Sequence, residues 1–214
     1  MTLPPIYPIL DTAALANRNL SPVTAAEALL EAGASLLQYR RKAFWSRHTY
    51  AEAQQISRLC NEAKVSLILN DRADYAALLN TGLHLGQDDL APEGARKLIG
   101  PNAILGFSTH NPAQMHAAQT EPVNYVAFGP IFPTASKAHP DPTTGPEALK
   151  QIRSLTTRPL VAIGGITLAN ARACFEAGAD SLAIIAGLLP DPCTRTALRS
   201  RMKDLLQLSD IRQE

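Results

Sequence analysis

The chain has 214 residues, of which 46% are hydrophobic and 18% are charged. A chain of this length removes about 70% of its unfolded surface from water when it folds, so it can form a substantial core. This composition excludes intrinsic disorder as the main state. The 20 Lys and Arg residues nearly balance the 19 Asp and Glu residues, which gives a net charge of +1. Because no basic field exists, we expect no nucleic-acid partner.

Cysteine usage and the distribution of apolar residues indicate the compartment. Cys60, Cys174 and Cys193 are odd in number and lack CxxC spacing, which argues against a disulfide scaffold or a zinc cluster. The N-terminal segment MTLPPIYPILD lacks the basic and long apolar regions of a secretory signal. No apolar run approaches the ~20 residues of a membrane span. We therefore expect a cytoplasmic protein without a membrane partner.

Eight short apolar runs predict strands that are buried on both faces, as in a parallel sheet. In chain order they are Ile6–Leu10, Ser35–Tyr39, Val65–Leu69, Leu83–Leu85, Ala103–Phe107, Asn124–Phe128, Leu160–Ile163 and Ser181–Ile185. Amphipathic segments between them predict helices. One helix is expected over residues 21–33, with Ser21 as N-cap and Gly33 as its stop, and another over 167–178, with Thr167 as N-cap. Further helical segments are expected over 48–64 and in the last helix and tail at about 191–214.

The regular alternation of strands and helices predicts one domain over residues 1–214. The segments EAGASL and EAGADSL each combine a helix end, a tight turn and a strand start, as in repeated βα units. Eight units of about 27 residues match a lean (β/α)8 TIM barrel in the α/β class. An open doubly wound sheet is the alternative, but it usually contains fewer strands.

Polar and charged side chains collect after the predicted strands, where the active site of such a barrel lies. Arg40, Lys42 and Lys137 supply cations from two strand ends, and Asp71 and Asp89 supply carboxylates from adjacent ones. Carboxylates facing cations predict Mg²⁺ bridging to a polyphosphate. The three cations are therefore candidate ligands of that polyphosphate.

Two further groups of residues complete the predicted site. Gln38 and Asn70 offer neutral hydrogen bonds beside the cations and carboxylates. Gly164 and Gly165, together with the end of the eighth strand, predict a second, amide-lined anion site, because such barrels often hold a phosphate between the loops after strands 7 and 8.

Several segments together resemble the motifs of the thiamine-phosphate synthase family. They are QYRRK, NDRAD, HLGQDDL, GFSTHN, AFGPIFPTASK, PLVAIGGI and EAGADSLAII, and the resemblance covers residues 6–188. It implies a transferase that couples 4-amino-5-hydroxymethyl-2-methylpyrimidine diphosphate to hydroxyethylthiazole phosphate, giving thiamine phosphate and pyrophosphate. It also implies a requirement for Mg²⁺ and a mechanism in which the diphosphate leaves before the thiazole nitrogen attacks. Arg40, Lys42 and Lys137 would then be the catalytic residues, because they would stabilise the developing negative charge.

The resemblance also implies roles for individual residues. Around the pyrimidine diphosphate they are Gln38, Arg40, Lys42, Asn70, Ser108 and Lys137, with Asp71 and Asp89 as the magnesium ligands. Around the thiazole phosphate they are Thr134, Ser136, Gly165 and the backbone at Ile185 and Ala186. Ala186 departs from the family, which usually has a serine there, so one phosphate hydroxyl is lost.

Simpler interpretations exist for several of these residues. Asp71 is also a suitable N-cap for the following helix, and Arg40 and Lys42 also suit a solvated loop. We expect His84, within a strand, to be a hydrogen-bonded core histidine. For His110, a proton shuttle and a helix-start residue both stay open.

Two interpretations fit the loop after the second strand. Phe44 and Trp45 suit either a mobile lid or a patch against a neighbouring subunit, and the sequence leaves a homo-oligomer open.

Two functions compete with the synthase reaction. One is that of a thiazole tautomerase-like paralogue, which needs neither a metal nor a diphosphate site, and the second is that of a non-catalytic barrel that binds a thiamine precursor.

Overall fold

Eight parallel strands close into a barrel in chain order, and β1 pairs with β8 to complete the ring. The computed structural model describes residues 1–134 and 142–210. The strands are β1 (Ile6–Asp11), β2 (Leu36–Arg40), β3 (Ser66–Asn70), β4 (Gly82–Leu85), β5 (Leu105–Thr109), β6 (Tyr125–Phe128), β7 (Leu160–Ile163) and β8 (Ser181–Ile184). The predicted (β/α)8 barrel is confirmed, and every predicted strand lies within two residues of its expected bounds. The closed ring excludes the open doubly wound sheet.

Helices follow the strands and cover the outside of the barrel. Within the described ranges they are α1 (Thr12–Ala16), α2 (Pro22–Glu31), α3 (Arg47–Glu62), α4 (Ala73–Leu79), α5 (Pro92–Ile99), α6 (Pro112–Ala118), α7 (Gly145–Arg153), α8 (Ala171–Glu176) and α9 (Arg195–Asp210). A short 3-10 helix, Ala186–Leu188, follows β8. None of the helices in these ranges is long and apolar enough to cross a bilayer.

The sequence signals for α2 are confirmed. The side chain of Ser21 accepts a hydrogen bond from the Thr24 N–H at 3.1 Å, and Gly33 takes a φ of +99° just after the helix end. The prediction that Thr167 caps α8 is wrong, because the helix begins four residues later, after Asn170. Asn170 instead turns back, and its Oδ1 accepts the Thr167 N–H at 2.7 Å.

Alternate residues of each strand face two different cores. Outward-facing side chains such as Ile6 and Leu10 pack against the helices. Inward-facing side chains fill the barrel itself and include two tyrosines; the buried set is Tyr7, Ile9, Leu36, Ile68, Tyr125, Ala127, Val161 and Ala183. Cys60 and Cys174 are buried on the faces of α3 and α8.

Arginines at the amino ends of the strands hold the base of the barrel together. The Arg96 guanidinium donates to the Ala103 carbonyl at 2.6 Å and to Asn124 Oδ1 at 2.8 Å. Arg153 donates to Asp180 at 2.8 Å. These contacts link neighbouring strand starts and leave the opposite end of the barrel for chemistry.

Gly106 makes room for an aromatic ring inside the barrel, and this gives the first prediction. A Cβ atom there would lie 2.0 Å from Cζ of Tyr125. We expect Gly106→Ala to reduce stability by about 1–3 kcal/mol through overpacking. Gly94→Ala is the control, because its Cβ would make only ordinary contacts with Leu90 on a helix, where alanine is stabilising. Urea denaturation checks both; a Gly106→Ala variant as stable as the wild type would contradict the packing described here.

Candidate active site

A cavity of about 710 Å³ opens at the carboxyl ends of the strands. Every strand or the loop that follows it contributes to its wall. The sequence-predicted site residues that line it are Gln38, Arg40, Lys42, Asn70, Asp71, Asp89, Ser108, Thr134, Gly165, Ile185 and Ala186. The two remaining ones, Ser136 and Lys137, lie outside the described residues. The site predicted from the strand ends is therefore brought together, as far as the structure describes it.

Asp71 and Asp89 lie side by side at the ends of β3 and β4. The Asp71 N–H donates to the His84 carbonyl at 2.9 Å, and the residue takes a left-handed φ of +65°. Oδ2 of Asp89 accepts the Gly86 N–H at 2.7 Å. Burial and then the hydrogen-bonded Asp89 carboxyl raise the pKa of Asp71 to about 6, while Lys42 acts in the opposite direction.

The geometry of Asp71 excludes the simpler interpretation of this residue as a helix cap. The N-cap position of α4 is Arg72, whose side chain makes no capping bond. The Asp71 carboxylate instead contacts Nζ of Lys42 at 2.5 Å.

The two predicted site cations at the end of β2, Arg40 and Lys42, are both paired with carboxylates. The Lys42 side chain is 56% exposed and contacts Asp71. Arg40 is largely buried and donates through Nη1 to Oδ2 of Asp11 at the end of β1. Asp11 was missed by the sequence analysis, although its position directly after an apolar run was a usable signal. Because a guanidinium has five N–H donors, this pairing leaves Arg40 donors for a ligand.

Asn70 is a buried polar residue whose amide nitrogen lacks a partner. The residue is 5% exposed and lines the cavity. Along the described ranges, its Nδ2 has no hydrogen-bond acceptor. Buried donors are nearly always satisfied, so this one indicates a ligand atom that would accept from it.

A chain of hydrogen bonds crosses the barrel beneath the cavity. Gln38 Nε2 donates to the Tyr7 hydroxyl, and the Tyr7 and Tyr125 hydroxyls are 2.9 Å apart. His84 lies 2.9 Å from the Tyr125 hydroxyl through Nδ1 and 2.9 Å from Ser108 Oγ through Nε2. The prediction of a hydrogen-bonded core histidine is confirmed. The two tyrosines were missed, since only the closed barrel brings them together.

The second predicted anion site lies where the loops after β6, β7 and β8 meet. Gly165 has a φ of +63°, and a Cβ there would lie 2.4 Å from the Pro133 carbonyl oxygen. Thr134, Ile185 and Ala186 line the same part of the cavity. The 3-10 helix begins at Ala186, and the first N–H groups of a helix have no partner within it.

His110 and Trp45 are fixed by contacts with the protein. Nδ1 of His110 lies 2.6 Å from the Gly129 carbonyl oxygen, and the backbone N–H of His110 donates to Oε1 of Gln114. Trp45 is buried and stacks on Tyr75 with ring centroids 4.7 Å apart. Phe44, at 85% exposure, projects from that loop into solvent. Trp45 therefore anchors the loop, and Phe44 is an exposed large apolar side chain on it.

Comparison with known proteins decides the family. The family model for thiamine monophosphate synthase matches residues 6–188. The chain belongs to the thiamine-phosphate synthase family. It is 45% identical to the thiamine-phosphate synthase of Koribacter versatilis over 97% of both chains, and 40% identical to that of Chlorobium limicola over 81% of this chain and 83% of that one. The resemblance noted in the sequence is confirmed, and the protein is an enzyme, a transferase.

A solved structure supports the same conclusion. The thiamine phosphate pyrophosphorylase from Pyrococcus furiosus superposes with a TM-score of 0.84 at 27% identity, covering 98% of this chain and 97% of that one. The fold of the chain therefore agrees with its membership of the thiamine-phosphate synthase family.

The raised pKa of Asp71 leads to the second prediction. A carboxyl whose pKa is raised on folding favours the folded state most below its ordinary pKa, and this stabilisation is lost as the pH rises past about 6. Asn removes the charge and tolerates the left-handed backbone. We expect Asp71→Asn to raise the free energy of unfolding at pH 8 by about 1 kcal/mol, after allowing for partial exposure.

Thermal unfolding at two pH values checks this prediction. The advantage of Asp71→Asn should shrink at pH 5, where the wild-type carboxyl is largely protonated in the folded state. A lower melting temperature than the wild type at pH 8 would instead show that the contact with Lys42 makes charged Asp71 stabilising.

Proposed function

We propose that the chain couples 4-amino-5-hydroxymethyl-2-methylpyrimidine diphosphate with hydroxyethylthiazole phosphate to give thiamine phosphate and pyrophosphate. The observation that carries this proposal is that the adjacent carboxyl groups of Asp71 and Asp89, with Lys42 in contact with Asp71, line one side of a cavity whose other side is lined by Gly164 and Gly165. Two anionic groups on two substrates match two such regions.

The diphosphate would lie at the ends of β2, β3 and β4. Arg40 and Lys42 would contact its oxygens, with Lys137 added from the segment outside the described residues. The unpartnered Nδ2 of Asn70 would donate to the same substrate. Lys42 would exchange its contact with Asp71 for a phosphate oxygen, which its exposed side chain allows.

The thiazole phosphate would lie against the loops after β6, β7 and β8. Thr134 and Ser136 would supply hydroxyl donors, and the backbone at Gly165, Ile185 and Ala186 would supply amides. Ala186 has no hydroxyl, so recognition there depends on the amides at the start of the 3-10 helix.

The residues present fit a magnesium ion. Among the described residues, no three His, Cys, Asp or Glu side chains are grouped so that they could hold a metal ion by themselves. Two adjacent carboxyl groups do meet at Asp71 and Asp89, and burial together with the Asp89 carboxyl raises the pKa of Asp71. Mg²⁺ usually takes one or two carboxylates and completes its shell with water and phosphate oxygens. When bound, it would neutralise charge on the leaving pyrophosphate.

The reaction needs no protein nucleophile. The bond between the pyrimidine methylene carbon and the diphosphate oxygen breaks, and its electron pair leaves with pyrophosphate. The thiazole nitrogen then forms the new bond to that carbon. Arg40, Lys42 and Lys137 would stabilise the leaving charge, and the barrel mouth would hold both substrates in line. A cytoplasmic location fits such small-molecule substrates and remains part of the proposal.

The two competing functions lack specific support. A tautomerase would move a proton on the thiazole and would not require the carboxylates and cations at the ends of β2, β3 and β4. A precursor-binding barrel would not require two adjacent carboxylates whose proximity is unfavourable.

Metal-dependent turnover tests the proposed reaction. Purified protein with both substrates and Mg²⁺ should form thiamine phosphate, measured after oxidation to fluorescent thiochrome, and EDTA should abolish the signal. Asp89→Asn should reduce kcat at least about a hundredfold while the fold is retained. Asp74→Asn is the control, because that exposed carboxylate pairs with Arg72 outside the cavity. Turnover by Asp89→Asn at the wild-type rate would contradict the metal assignment.

Ligand binding tests the diphosphate region separately from turnover. Because a ligand that binds only the folded state stabilises it, pyrophosphate with Mg²⁺ should raise the melting temperature of the wild type. Lys42→Ala should weaken this effect. An unchanged melting temperature at saturating pyrophosphate and Mg²⁺ would count against the site.

A further inference from the structure

The hydrogen bonds of the chain inside the barrel have one direction, because its two tyrosine hydroxyls are buried. It runs from Gln38 on β2 through Tyr7 on β1 and Tyr125 on β6 to His84 on β4 and Ser108 on β5. Tyr7 and Tyr125 are at most 1% exposed. Water therefore does not reach their hydroxyls freely, and each O–H must find its acceptor within the protein.

Each bond fixes the polarity of the next. Gln38 donates through Nε2, so the Tyr7 oxygen is an acceptor there. Among the described residues, the other group that bonds to the Tyr7 hydroxyl is the Tyr125 hydroxyl, and Tyr7 must donate to it. Tyr125, having accepted from Tyr7, donates its own proton to Nδ1 of His84.

The polarity then passes through the imidazole to the cavity. A neutral imidazole that accepts at Nδ1 carries its proton on Nε2. His84 therefore donates from Nε2 to Ser108 Oγ, 2.9 Å away. The Ser108 oxygen accepts this bond, and its own hydrogen is available to a group in the cavity that it lines.

We propose that Tyr7, Tyr125 and His84 are positioning residues that hold the Ser108 hydroxyl as a hydrogen-bond donor and the Gln38 side-chain oxygen as an acceptor toward the substrate. Ser108 would therefore bind a hydrogen-bond acceptor of the substrate, such as a diphosphate oxygen or a ring nitrogen. Gln38 would bind a donor, such as an exocyclic amine. The identity of that substrate rests on the proposed function, whereas the polarity of the chain does not.

The packing around the chain supports its role. Gly106 leaves space for the Tyr125 ring, since a Cβ would lie 2.3 Å from the Tyr125 hydroxyl oxygen. The rings of His84 and Tyr125 stack with centroids 5.5 Å apart, and those of Tyr7 and Tyr125 meet edge to face at 6.0 Å. These contacts hold each hydroxyl in place, so the polarity is set before substrate binds.

Nitrogen NMR of histidine-labelled protein tests the polarity directly. The His84 signals are assigned as those lost in His84→Gln. We expect a neutral ring with the proton on Nε2 and none on Nδ1. If the Gln38 amide were turned, every donor would reverse and the proton would lie on Nδ1. A proton on Nδ1, or on both nitrogens at pH 8, would overturn the proposal.

Removal of a distant hydroxyl tests transmission along the chain. Tyr7→Phe should weaken the Tyr125 donation, because hydrogen bonds in a chain strengthen one another. The Nδ1 signal of His84 should then move toward that of a nitrogen without a donor. Tyr39→Phe is the control, because it removes a buried hydroxyl that donates to Glu52 outside the chain. If Tyr7→Phe leaves the Nδ1 signal of His84 unchanged, the proposed effect of the Tyr7 hydroxyl on His84 through Tyr125 is wrong.

Kinetics test whether the polarity acts through Ser108. Tyr125→Phe should lower kcat/KM about tenfold, as expected for one lost or misdirected hydrogen bond. In a Ser108→Ala background the same substitution should cost less than about threefold, because the donor it positions is gone. Equal effects in both backgrounds would overturn the assignment to Ser108. If no synthase activity is found, the proposed reaction fails, but the NMR result still decides the polarity.

Discussion

The close approach of the Asp71 and Asp89 carboxyl groups is the constraint on which the mouth of the barrel depends. Burial, and then the neighbouring Asp89 carboxyl, raise the pKa of Asp71, so it is unfavourable to hold both groups ionised side by side. A flexible loop would let them separate. Here β3 and β4 are in register through Asn70 and His84, and the Asp71 N–H is bonded to the His84 carbonyl. The rest of the fold therefore supplies the rigidity that keeps an unfavourable pair ready for a cation.

The two ends of the barrel have different roles, one in stability and one in the candidate site. At the amino ends, Arg96 and Arg153 satisfy backbone carbonyls and link neighbouring strand starts. At the carboxyl ends, Arg40 and Lys42 face carboxylates and a cavity. Arginine thus stabilises the fold at the amino ends of the strands and is available to bind anions at the carboxyl ends. The difference arises because the cavity lies at the carboxyl ends. This separation lets the mouth carry unfavourable charge contacts without loss of the fold.

Much of this arrangement was predictable from the sequence, because it follows from the order of elements. Once eight buried runs indicate a parallel barrel, the residues after each run must converge, which is why Asp71 and Asp89 meet. Side-chain partners are different. Tyr7 and Tyr125 are 118 residues apart, and Asp11 reaches Arg40 only across the β1–β2 pair. The capping error at Thr167 has a similar cause, since Asn170 accepts the Thr167 N–H and so forms a turn before α8. Local sequence propensity does not distinguish a helix that begins after Thr167 from a turn followed by a helix that begins after Asn170.

A polar interior is a costly choice for a small barrel, which aliphatic side chains fill more simply. Buried hydroxyl and imidazole groups are tolerated only when each has a partner, and a partly satisfied network is less stable than an apolar core. The chain from Gln38 to Ser108 meets this condition and ends at the cavity on both sides. A reaction without a protein nucleophile depends on groups whose charge and hydrogen-bond direction are set in advance. An interior that fixes those directions serves that requirement, whereas stability alone would favour leucine and valine in the same layers.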